Sequence, residues 1–138
     1  MKNHKYRIST KIIGALMTVA AVALGANVWA YQSQSSNANG VRIDVVPAQL
    51  SSGKPVKFEV RMNTHSVNLG YDMVAAALLK DGQGRTYNAS AWNGSAPGGH
   101  HRSGVLEFPA VAENAKSVTL YFKNISGVPE RIFEWKIE

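Results

Sequence analysis

The chain has no cysteine at any of its 138 positions. Blue-copper centres, iron–sulfur clusters and Cys-type zinc sites are built on thiolates, and redox exchange needs a thiol pair, so all of these are excluded. Disulfide stapling goes with them, which leaves a hydrophobic core as the source of stability. The stretch from residue 41 to 138 suffices for one, because a domain of about 100 residues hides roughly two-thirds of its unfolded surface.

Charge of one sign is also scarce where it would matter. Fifteen Lys and Arg face nine Asp and Glu, but Lys2, Lys5, Arg7 and Lys11 precede the domain, leaving eleven basic against nine acidic residues from residue 41 onward. So small an excess makes no phosphate-tracking field, which argues against a nucleic-acid partner. No glycine-rich loop leads into a helix, so a nucleotide phosphate site has no support. No Gly-x-Ser-x-Gly elbow accompanies Ser66, Ser103, His65 and Asp72, so the residue types of a hydrolytic triad are present without its usual frame, and a non-enzyme is expected.

The one long apolar run lies near the start. Residues 1–11 are polar and basic, and Ile12–Ala30 is apolar apart from Thr18 and Asn27, the layout of an export signal. Val28-Trp29-Ala30 suits signal-peptidase cleavage before Tyr31. The same run is long enough to cross roughly 30 Å of hydrocarbon as an uncleaved anchor. The basic flank keeps the N-terminus cytoplasmic either way, so the domain is expected outside the cytoplasm: secreted, periplasmic or at the cell surface, with membrane contact through residues 1–30 if they stay attached. With no cysteine after the run, a lipid-modified form is excluded. Residues 31–40 are small, polar and uncharged after Tyr31 and read as a flexible linker.

From residue 41 to 138 the dominant period is two. Val56 to Asn63 alternates without a fault, and Val41–Val45, Val118–Phe122 and Phe133–Ile137 do the same. Met73–Leu79 is continuously apolar and reads as a central strand turning at Asp81-Gly82-Gln83-Gly84, although its alanines also suit a helix. A short strand covers Gly104–Phe108. Pro47, Pro55, Pro109 and Pro129 fall at strand edges, where a missing donor does least harm. Six or seven short strands without an amphipathic helix predict an all-β fold, a sandwich of immunoglobulin-like or cupredoxin-like type.

Two polar stretches interrupt this pattern. Residues 88–103 lack either periodicity and contain Trp92, His100, His101 and Arg102; residues 63–72 contain His65 and Asp72. A loop as long as the first in a compact domain is usually functional or disordered, and its aromatic, histidines and arginine favour an ordered, working loop. Imidazole with carboxylate suits copper or zinc, so His65, His100, His101 and Asp72 form a candidate metal site, with Gly98-Gly99 bending the chain so that adjacent histidines can converge. The structural alternative has His65 bonded to Asp72 or a carbonyl, and His100 and His101 pinning the loop. Arg102 and Arg131 either brace loops or present a contact surface, and Trp92 is either an anchor or a contact for a partner.

Three motifs in order, Asn63-Thr64-His65-Ser66-Val67, then Pro97-Gly98-Gly99-His100-His101-Arg102 with Gly104-Val105-Leu106, then Gly127-Val128-Pro129-Glu130-Arg131 with Phe133 and Trp135, resemble those of a group of small exported prokaryotic β-sandwich proteins without an assigned activity. The resemblance spans residues 41–138 and implies an extracytoplasmic sandwich with shared polar residues in its loops. The expected function is a non-catalytic binding module that takes copper or zinc through its histidine-bearing loops. The competing expectation is a membrane-anchored accessory subunit that binds another envelope protein through Trp92, Arg102 and Arg131.

Overall fold

The computed structural model describes residues 31–137. The expected signal or anchor at 1–30 lies outside the described residues. Among the described residues the fold is all-β, as the period of two predicts: nine strands in two antiparallel sheets, with one short helix.

The strands are β1 (Gln34–Ala38), β2 (Val41–Gln49), β3 (Pro55–Thr64), β4 (Ala77–Asp81), β5 (Thr86–Asn88), β6 (Ala91–Gly94), β7 (His101–Ala110), β8 (Ser117–Ile125) and β9 (Val128–Lys136), and helix α1 is Met73–Ala76. One sheet has the order β1-β2-β3-β7-β6 and the other β5-β4-β8-β9. The inward side chains of both sheets form a single buried cluster. Phe58, Phe108, Phe122 and Phe133 lie in it with Trp135, whose ring sits 5.2 Å from Phe58 and 6.4 Å from Phe133. Each such side chain contributes roughly 1.5–3 kcal/mol by leaving water.

Three segments depart from expectation, each for a local reason. Residues 34–38, expected within a flexible linker, form β1 and pair with β2 from Gln34↔Val45 to Ala38↔Val41. Backbone pairing to an open strand edge asks little of side chains, so a polar segment satisfies it. Tyr31 donates its hydroxyl to Leu50 O at 2.9 Å, and Trp135 Nε1 donates to Gln32 O at 2.8 Å, so the segment is tied down from its first described residue.

Met73–Leu79, expected as one strand, divides into α1 and β4. Asp72 is the cause: its Oδ1 accepts from Val74 N and Ala75 N, capping one helical turn before Ala77 returns to extended backbone. Residues 88–103, expected without strand structure, contain β6, and β7 begins inside them at His101. The hairpin at Asp81–Gly84 forms as expected. Asp81 Oδ1 accepts from Gln83 N and Arg85 N, and its Oδ2 accepts from Arg85 Nε and the Tyr87 hydroxyl.

Candidate functional site

β2 and β3 run antiparallel, so the turn at residues 39–40 and the loop after Thr64 lie at the same end of the molecule. The β3–β7 ladder, with Asn63 opposite His101, brings the stretch before β7 to that end too. The turn after β8 joins them, because Ser126 Oγ donates to Asn39 O at 2.7 Å and Asn39 Nδ2 donates to Ser126 O at 3.0 Å. The segments carrying His65, Asp72, His100, His101 and Arg102 therefore meet at one pole.

The loops are zipped together by their backbones. Thr64 N donates to His100 O, Leu69 N to Gly99 O and Gly98 N to Leu69 O, at 2.9–3.0 Å. Gly99 N adds a bond to Asn68 Oδ1. Gly98 and Gly99 have φ of 116° and 74°, the left-handed range that glycine enters without a Cβ penalty. The expected bend at this pair is present.

Two arginines finish the construction, and both take the bracing alternative of the two open to them. Arg102 is 3 % and Arg131 2 % exposed, so neither guanidinium is available to a partner's surface. Arg102 Nη1 donates to Leu69 O and Tyr71 O, and its Nη2 to Ser95 O. Arg131 Nη1 donates to Val41 O at 2.8 Å, and its Nη2 to Ala38 O and Ile125 O. Burial pushes the pKa of both below the usual arginine value, with Asp72 opposing the effect at Arg102 and Tyr71 at Arg131. A fork of fixed donors suits this task because it reaches carbonyls on several segments at once. The Nε of each arginine is buried without a hydrogen-bond partner.

Trp92 is half-buried and acts mainly as an anchor. Its Nε1 donates to Ser95 O at 2.9 Å, and the Arg102 guanidinium carbon lies 5.5 Å from its ring centroid, within cation–π range. The ring crowds Gly94 and Gly104, which face each other across β6 and β7. A Cβ on Gly104 would sit 2.7 Å from Gly94 Cα and 2.8 Å from the Trp92 ring, so that crossing requires glycine. Beside this anchor is a cleft of about 270 Å³ lined by Tyr71, Asp72, Met73, Trp92, Pro97 and Arg102 among others. It is smaller than the usual site for a drug-sized ligand and suits one protruding side chain.

The candidate metal ligands share the pole without forming a cage. His101 Nδ1 is 2.8 Å from Asn63 Oδ1. His65 borders a separate cleft with Asn37, Gly40, Arg42, Asn63 and Thr64. The Asp72 carboxylate accepts from the first turn of α1 and does not bond His65. Among the described residues no group of three or more His, Asp or Glu side chains is arranged to hold a metal ion. Tyr71 is a site residue that sequence reasoning passed over: its hydroxyl accepts from Ser126 N and its carbonyl from Arg102. No family model, curated protein or solved structure matches the chain.

Proposed function

We propose that the domain is a non-catalytic, extracytoplasmic binding module of immunoglobulin-like type, which receives another envelope protein at its arginine-braced pole. The fold reading rests on strand order: β2-β3-β7-β6 and β5-β4-β8-β9 follow the A-B-E-D and C′-C-F-G orders of such sandwiches, with β1 added at one edge. The observation that carries the functional reading is the use of two buried guanidinium groups to hold the pole's segments in one arrangement. Loops held this way lose little freedom on binding, and that is how preorganisation raises affinity. All three motifs behind the family resemblance contribute to this pole. Location outside the cytoplasm rests on the basic and apolar pattern of residues 1–30.

Cysteine-free chemistry makes the test direct. In full-length protein kept in its native membranes, Ala96→Cys carrying a photoactivatable thiol probe is expected to give a discrete protein adduct, and Glu113→Cys at the opposite pole none. An adduct from residue 113 alone, or from neither position, overturns the reading.

A transition ion is the second reading. It is favoured by the Thr64 N to His100 O bond and the Asn63↔His101 pairing, which bring the backbones of the three loop histidines to one end of the five-stranded sheet. Calorimetric titration with copper and with zinc tests it: an affinity unchanged when His65, His100 and His101 are all alanine rejects these ligands.

A further inference from the structure

The outward face of the four-stranded sheet carries an organised pattern of its own. β4, β8 and β9 alternate buried and outward residues, and their register sets Leu78 beside Tyr121 and Tyr121 beside Ile132. These three form one apolar row across the sheet. Ile132 is 57 % exposed, whereas large apolar side chains elsewhere among the described residues are covered or half-covered. Two positions along, the next outward row reads Lys80, Thr119, Glu134. Lys80 and Glu134 are both exposed, and among the described residues neither has an ion-pair partner. Two strand spacings separate their backbones, roughly 9.5 Å, with Thr119 between them, and they do not pair with each other.

We propose that this face binds a second copy of the chain about a two-fold axis parallel to β8. Rotation about a line through Thr119 and Tyr121 exchanges the positions of β4 and β9. Lys80 of one copy then faces Glu134 of the other, and Leu78 faces Ile132, each contact occurring twice. Tyr121 meets its equivalent on the axis. Lys123 also meets its equivalent, close to two Glu130 side chains, its own cross-strand neighbour and the second copy's. The other face-to-face two-fold, with its axis along the apolar row, would set Glu134 against Glu130, two like charges in contact. The first axis makes the Lys80–Glu134 contact twice and one Lys123–Lys123 contact flanked by two Glu130 carboxylates. The second makes the Glu134–Glu130 contact twice, so the balance of charge favours the first. Aligned sheets pack about 10 Å apart, which brings the outward side chains of the central rows into contact. Four strands give a narrow face, so the dimer belongs to the small, weak class of interfaces.

The full-length chain in detergent is the material for the test, followed by sedimentation over a concentration series. Wild type is expected to shift from monomer to dimer with concentration. Lys80→Glu alone and Glu134→Lys alone each set like charges face to face and weaken the dimer by roughly tenfold or more, and the double variant restores it. Because the chain lacks cysteine, a short bis-maleimide on Thr119→Cys, beside the axis, is expected to link two copies, and on Arg61→Cys, on the other sheet, to link none. Monomer at every concentration, a double variant that does not recover, or linkage at residue 61 and not at 119 overturns the proposal.

Discussion

Arg131 shows how much a single side chain can organise. Its guanidinium satisfies carbonyls of residues in β1, β2 and β8. Arg131→Ala deletes all of these bonds and leaves a void where one of the largest fully buried side chains sits. We expect a loss of about 3 kcal/mol or more, with Arg131→Lys intermediate because an ammonium cannot span the same acceptors; chemical denaturation measures both. Asp81 offers a pH test. Burial opposes its ionisation, but bonds from Arg85, Gln83 and Tyr87, with the Arg85 charge, hold its pKa below the usual carboxylate value. A lowered folded pKa means that the stabilisation is complete above the unfolded value, about 3.9, and is lost as pH falls through the folded one. Asp81→Asn, with a donor in place of one acceptor oxygen, is therefore expected to cost about 1–3 kcal/mol at neutral pH, with the gap to wild type narrowing below about pH 4 in denaturation midpoints. The sequence marks Arg102 and Arg131 as noteworthy but not as buried. A basic residue near a loop reads as surface, and only the folded backbone shows carbonyls converging on it from distant segments.

Legibility differs sharply among elements. β2, β3, β8 and β9 are read from alternation alone, because each presents one face to the core. β1 and β6 escape that reading: polar edge strands are held through their backbones, and neither Gln34–Ala38 nor Ala91–Gly94 carries an apolar stripe. Nor does a sequence display the close approach of β6 to β7, since Gly94 looks like an ordinary loop glycine and Gly104 like the start of a short strand until the register sets them opposite. Gly104→Ala tests that approach. With Gly94 Cα and the Trp92 ring both inside contact distance of the new methyl, β6 must part from β7 or the indole must leave its place. A loss of about 1–3 kcal/mol is expected, with faster amide exchange at Ala91–Gly94 than in wild type.

At the scale of the whole molecule, two sheets around one core follow from the count of alternating segments, and the shared pole follows from their antiparallel order. The candidate metal ligands were legible as residues and as a location, but not as a constellation. Whether imidazoles converge depends on which neighbour each ring finds first, and His101 finds Asn63 while Asp72 turns to the backbone of α1. The early start of β1 has a mechanical consequence. Tyr31 is fastened beside Leu50, at the pole opposite the histidines, and only two residues separate it from the first strand. From Tyr31 onward the described chain therefore leaves no slack before the first strand. The ten residues of β3 set the histidine-bearing pole about 30 Å from the pole where Tyr31 is fastened.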